Sequence, residues 1–509
     1  MSTLSGIILI TLLISPLFLM AQIPDFSPQI PERDLRITMP GPPVGAGWGF
    51  LYGYESIKAA NYLPMLRKMN GGPTATKVYL IWNQIEPQKG QYDWSAVDKF
   101  ADQLDSPEEG LIALFSSSSW ATEKPSTMLP PSMPKNMDDY YRVVYDMVKH
   151  CKGCVRYWQN DSEPNNPIYW AGTKEQFVDE LKVFYKAVKD ADPNAVVVVG
   201  GYDGLFGLPG THQFPGQQAG LEFFDYVFKE GRSAFDVFDL RLYGDPYTIV
   251  ARVNFMREKM LTLGYDKPII CTEYGGPNLF EFAENRKYVA LAGQWIQLLS
   301  DPNSSARKSG PQNPITQLYD KMSTLAPETQ IFMKGCSPEL EARYNRIQSR
   351  GMVMRNLFAF SAGIQKAMYW QFLADFPDRD DLMTLMYGKI GMVGTENGEL
   401  KDRRPIADTY ELMAHKLLGV REVKQIPIPD RPTIFLFKVE RDKRKPLYVI
   451  WEQRDMFSGE DAPAVTFSYT WDSKKTVAED AFGKAVPVEV KDKLLHLAVS
   501  LTPVYIESE

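Results

Sequence analysis

The sequence predicts an α/β protein: a (β/α)8 TIM barrel with an enlarged connection before strand 8, followed by an all-β, sandwich-like domain. Three observations predict it. Short apolar runs alternate with helical patterns from Val44 to Leu418. The run Ala195 to Val199 is almost pure valine, as expected of a strand buried on both faces. After Gly419 the helical patterns stop, and short β-type runs follow one another directly.

Taken in order, residues 1–21 read as a signal peptide or anchor, with an apolar run from Ile7 to Ala21. Residues 22–43 carry Pro24, Pro28, Pro31, Pro40, Pro42 and Pro43 and read as a proline-rich leader. The barrel is expected over 44–420. Its strands fall at Val44 to Phe50, Ala75 to Trp82, Gly110 to Phe115, Val155 to Gln159, Ala195 to Val199, Phe235 to Leu242, Pro268 to Thr272 and Gln365 to Phe372. Helices are expected between them, one opened by a capping box of Thr173 and Gln176. The period breaks between residues 274 and 362, where three helical patterns (from Glu281, Ile315 and Pro338) enlarge the connection. Residues 421–509 form the β domain, with strands starting at Thr433, Pro446, Ala464, Val486 and Leu494.

Bulk properties narrow the function. The 509 residues are 44% hydrophobic and 12% aromatic, ample for a large core. A net charge of −7 and only 4 His argue against nucleic-acid partners and a His-rich metal site. No metal and no cofactor are expected. No run after residue 21 is long and apolar enough to span a bilayer, so a stable membrane span requires the N-terminal segment to be retained. The expected location is secreted or extracytoplasmic, with membrane anchoring as the alternative. Cys151 and Cys154 form a CxxC pair with no second pair, which fits an oxidised loop or two inert thiols equally.

Two strand ends carry carboxylates. Tyr157-Trp158-Gln159-Asn160-Asp161-Ser162-Glu163-Pro164 ends a strand in a polar cluster, and Ile269-Ile270-Cys271-Thr272-Glu273-Tyr274-Gly275-Gly276 ends another in a glycine turn. The two Glu are 110 positions apart. That is about 37 for each of three βα units, near the roughly 30 of such barrels. Barrel chemistry is placed at the carboxyl ends of strands, and paired carboxylates are the minimum equipment for glycoside hydrolysis.

With these segments, the runs Trp82 to Pro87, Gly90 to Trp94, Trp170 to Phe177, Phe238 to Tyr243 and Tyr369-Trp370 resemble, in order and spacing, the clan A retaining glycoside hydrolases. The layout is most similar to family thirty-nine. The resemblance implies Glu163 as acid/base and Glu273 as nucleophile of a retaining O-glycosidase acting on a glycoside, oligosaccharide or polysaccharide. It implies substrate contacts from Ser162, Asn160, Arg241, Tyr243, Trp370, Trp48 and Trp120. Two alternatives use the same barrel: an inactive carbohydrate-binding protein and a transglycosylase.

Departures from that family's pattern stand at three places. Ser162 replaces the usual Asn before the acid/base, Arg241 replaces a His, and Lys77 stands where an Arg is usual. Arg241 is then expected to supply the missing cation, and either Asn160 or a different 2-substituent on the sugar to compensate for Ser162. Tyr243 fits either a hydrogen bond to Glu273 or plain packing. Glu86 is expected to organise a turn. Cys271, two positions before Glu273, is expected on the same strand face as a small barrel filler.

Overall fold

A computed structural model describes residues 33–49, 52, 60–202, 216–291, 313–374, 380–397 and 399–508. The expected signal or anchor and residues 22–32 of the expected leader lie outside the described residues. Eight parallel strands close a barrel: β1 Val44–Gly47, β2 Ala75–Ile81, β3 Glu109–Phe115, β4 Tyr157–Asn160, β5 Val196–Tyr202, β6 Val237–Leu240, β7 Ile269–Tyr274 and β8 Ala367–Tyr369. Alternation sorts their side chains. Tyr79, Leu111, Ala113, Tyr157, Val198, Val237 and Ile270 fill the interior. Val78, Leu80, Ile112, Trp158, Val197 and Phe238 face the helices. Both faces are buried, so most strands read as largely apolar runs, interrupted where a polar side chain points inward.

The helices follow the expected frame. Thr173 caps Lys174–Ala191 with both halves of the capping box present. The enlarged connection begins with 3-10 turns at Leu279–Glu281 and Ala283–Tyr288, an α-helix starts at residue 289, and the rest of the helical pattern expected from Glu281 lies in residues 292–312, outside the described part. It ends in the 24-residue helix Pro338–Ser361. Between β8 and the closing helix Pro405–Lys416 the structure adds a hairpin absent from the sequence reading, β9 Val393–Glu396 with β10 Glu399–Arg403.

Below the barrel, the last part of the leader straps its amino-terminal end. Lys366 Nζ donates to the Pro40 and Pro42 carbonyls at 2.6 and 3.2 Å, and Ile37 N donates to Arg421 O at 2.8 Å. Proline-rich backbone suits this position: it lacks donors and presents carbonyls to a buried cation.

The β domain stacks a five-stranded on a three-stranded sheet. The first runs β11 Val420–Ile426, β12 Ile434–Arg441, β13 Arg444–Glu452, β18 Val504–Ser508, β15 Thr476–Asp480; the second runs β14 Val465–Thr470, β17 Leu494–Val499, β16 Val488–Lys491. Along β12, Ile434 and Leu436 point into the sandwich, whereas Phe437 and Val439 point toward the barrel. Phe435 stacks on Trp451 at 5.7 Å, and Phe358 of Pro338–Ser361 packs edge-on to both. Glu460 accepts from Arg346 and Arg350, fixing the same helix. No described helix is long and apolar enough to cross a membrane.

Candidate active site

The site is built from four strands whose period-2 alternation aims polar side chains inward. On β6 this places Asp239 inside, and beyond its end Arg241 and Tyr243 continue on the same side. On β4, Gln159 points in and donates to Asp239 Oδ2 at 2.7 Å. Past Asn160 the chain turns through Asp161 and Glu163 in left-handed conformation, with φ 48° and 54°. Such a conformation costs about 1–2 kcal/mol per non-glycine residue and persists only when its surroundings hold it.

On β7 the register slips between Cys271 and Tyr274. The slip lets two consecutive residues, Thr272 and Glu273, both reach the interior. Cys271 is therefore not on the face of Glu273, as simple alternation predicts; it lies in the apolar layer between sheet and helices.

Arg241 joins the two glutamates. Its Nε donates to Glu163 Oε1 at 3.1 Å, and its Nη2 lies 2.7 Å from Glu273 Oε1. Nη2 also donates to Ser162 Oγ, and Nη1 donates to Asp239 Oδ2 and to Thr272 Oγ1. Lys77 on β2 donates to Thr272 Oγ1 at 3.0 Å and to Glu273 Oε1 at 3.2 Å. Tyr243 OH donates to the other oxygen, Glu273 Oε2, at 3.1 Å. The Arg241 side chain is 0% exposed, Glu273 6% and Glu163 12%, so Glu163 is the carboxyl nearest solvent.

The charges set one another. Burial opposes the Arg241 charge, but Asp239 and Glu163 more than offset it and hold the guanidinium pKa above its ordinary value. Burial and the neighbouring Arg241 push Lys77 down to about 8. Burial would raise Asp239, yet Arg241 and Lys77 hold it below the usual carboxylate value. Burial lifts Glu273 above its ordinary value, and Lys77 pulls the other way.

The structure thus brings Glu163, Glu273, Ser162, Arg241 and Tyr243 into one network. Trp370, at the end of β8, stands edge-on to Tyr243 at 6.3 Å and to Tyr387 at 5.4 Å. Three expected substrate contacts are placed elsewhere. Asn160 faces outward and donates to Glu180 Oε1 and Tyr140 OH, because it follows inward-facing Gln159 by one position. Trp48 is 1% exposed and packs among Tyr52, Tyr62 and Phe372 in the barrel–helix layer. Trp120 packs edge-on to Trp82 and donates to the Glu86 carbonyl at 3.0 Å. Glu86 itself accepts from Trp82, Gly90 and Arg142, the turn-organising role expected of it. Cys151 and Cys154 are free thiols.

Sequence reasoning assigned no role to Asp239, Thr272, Gln159 or Tyr387, and treated Lys77 only as an imperfect substitute. The signal for Asp239 was present: Asp239, Arg241 and Tyr243 alternate on one face. Tyr387 lies on a short helix, Leu382–Tyr387, that no barrel periodicity announces.

Comparisons place this geometry. No family model and no curated protein matches the chain. Solved structures do. A family 39 glycoside hydrolase from the gut symbiont Bacteroides cellulosilyticus WH2 aligns over 92% of this chain and 81% of its own, at 14% identity and a TM-score of 0.61. The family 39 enzyme from Xanthomonas axonopodis pv. citri aligns over 92% and 93%, at 14% identity and TM-score 0.53. The catalytic domain of the family 30 xylanase C from Talaromyces cellulolyticus aligns over 92% and 96%, at 10% identity and TM-score 0.53. At these identities the likeness is one of fold: this chain has the (β/α)8 fold of the clan A glycoside hydrolases.

Proposed function

We propose that the protein is a retaining O-glycoside hydrolase acting on a carbohydrate through a covalent glycosyl-enzyme. The observation that carries the reading is the bridge of Arg241 between Glu163 and Glu273 at the carboxyl end of the barrel. Two carboxyls on one guanidinium are closely spaced, and close spacing, about 5–5.5 Å, belongs to retention rather than inversion.

In the first step Glu273 attacks the anomeric carbon while Glu163 gives its proton to the departing glycosidic oxygen. Lys77 and Arg241 hold one oxygen of Glu273, and Tyr243 holds the other, so the carboxylate is charged and aimed. In the second step Glu163 takes a proton from water, which attacks the same carbon and frees Glu273. Ser162 Oγ accepts from Arg241, leaving its O–H to donate to the sugar in place of the family's Asn. Trp370 and Tyr387 supply an apolar wall beside Tyr243. The apolar segment 7–21 supports an extracytoplasmic location.

The same Ser162 favours a second reading, a sugar-binding barrel without turnover, because the side chain that usually grips the sugar is shorter and already engaged. Proton NMR of a glycoside during hydrolysis separates the readings. The first-formed anomer should keep the configuration of the substrate; an inverted first product, or no product over a broad panel, contradicts the proposal.

A further inference from the structure

Behind the Glu163 corner lie two carboxyl groups that this chemistry does not use. Asp161 begins the corner, and Glu180 projects from the helix Lys174–Ala191; both are 0% exposed. Asp161 Oδ1 accepts from Ser116 N at 2.8 Å, and Ser116 Oγ donates to Oδ2 at 3.2 Å. Asn160 Nδ2 donates to Glu180 Oε1 at 3.0 Å. Tyr140, from the helix Met137–His150, completes the shell, and Gly200 of β5 closes it against the Asp161 carbonyl.

Asn160, next in the chain to Asp161, reaches Glu180, and the groups acting on the two carboxyls are Ser116, Asn160 and Tyr140. None of these is basic. Two like charges in a dry site with no cation cannot both persist. Glu180 Oε2 accepts no hydrogen bond, which is costly for a buried carboxylate and natural for a protonated one that donates. Burial pushes Asp161 up to about 7, and burial together with Asp161 drives Glu180 well above its ordinary value.

We propose that Asp161 and Glu180 share one proton and act as a positioning pair for Glu163. The inference rests on the acid/base role given to Glu163 above. Only Ser162 separates Asp161 from Glu163, and both Asp161 and Glu163 sit in left-handed conformation. The pair and Ser116 are what hold Asp161 against that cost. Loss of the shared proton leaves two buried charges that repel, and the corner carrying Glu163 loosens.

The test compares wild type with Glu180→Ala, Glu180→Gln and Asp161→Asn on an aryl glycoside, with infrared spectra of each folded protein. Wild-type kcat should decline only on the alkaline side, where Glu180, driven well above its ordinary value by burial and by Asp161, finally ionises. Glu180→Ala should lower kcat about 10- to 100-fold with little change in KM, the size of effect that about 1 Å of misplacement produces. Glu180→Gln keeps a donor to Asp161; it should restore most of the loss and abolish the alkaline decline. Asp161→Asn should abolish it too, which keeps the test open if one Glu180 variant does not fold. At about pH 8 the wild-type infrared band of the neutral Glu180 carboxyl should vanish in Glu180→Gln. A Glu180→Gln profile with the wild-type decline, or a wild type without that band, overturns the pair alone. No turnover by wild type overturns the hydrolase reading, and the positioning role with it.

Discussion

Gly201 lies directly against the Arg241 guanidinium: a Cβ built at Gly201 would stand 2.3 Å from Arg241 Cζ. That guanidinium is fully buried and engages Glu163, Asp239, Thr272, Ser162 and Glu273 at once. It has no room to step aside. The second glycine after the β5 valines is therefore the space that lets an arginine stand at this position.

Gly201→Ala should displace Arg241 and separate the two carboxylates from their common anchor. The expected loss is about 100-fold in kcat, from misplacement on the order of 1 Å. Circular dichroism should show the fold retained. Steady-state kinetics check it: wild-type kcat in this variant contradicts the packing argument.

Arg241→His tests whether the guanidinium is needed beside Glu273 in addition to Lys77 of the second strand. Removing it leaves Asp239 buried and short of a partner, and breaking such a buried pair costs about 3–5 kcal/mol. Both turnover and Tm should fall. Intact turnover would show that a histidine serves here as well as this arginine, and would sink the idea.

Lys77→Met tests the second cation. Lys77 lowers the Glu273 pKa against the pull of burial. Without it Glu273 takes up its proton at higher pH, so the acid limb of kcat/KM should move to higher pH. A pH–rate profile with an unmoved acid limb would contradict the assignment of Glu273 as the ionised nucleophile beside Lys77.

Asp161 gives a stability signature independent of turnover. Burial raises it from 3.8 to about 7, so the folded chain holds a proton that the unfolded chain releases. The stability it contributes is complete below about pH 4 and is lost as pH rises through about 7. Asp161→Asn removes this dependence. The Tm difference, variant minus wild type, should grow more positive from about pH 4 to about pH 8, and a constant difference would contradict it.

Much of this was legible in the chain. The barrel announces itself because each strand is dry on both faces, and Glu163 and Glu273 stand out as polar endings to apolar runs. Arg241 and Tyr243 were legible only through the resemblance of the Phe238 to Tyr243 run. Alternation failed where the backbone departs from a plain strand. The register slip in β7 put Cys271 in the outer layer, and counting positions could not foresee it. Asn160 looked like a substitute for the missing amide because it is near Glu163 in sequence, but one residue of pleat sends it to the other side of the wall. Trp48 carried the residue type of a sugar platform and the environment of a core. The Asp161–Glu180 pair joins a strand end to a helix, a contact no local pattern records. Three strands of the β domain, Val420–Ile426, Thr476–Asp480 and Val504–Ser508, also went unread, two of them half exposed and polar.

The central claim is that Glu273 makes the covalent bond and Glu163 handles the proton. Incubation with a panel of 2-fluoro glycosides, followed by proteolysis and mass spectrometry, tests it most directly. The account predicts one glycosyl adduct, mapped to Glu273, that accumulates and turns over slowly. An adduct on any other residue, or none while the sugars still bind, would contradict it.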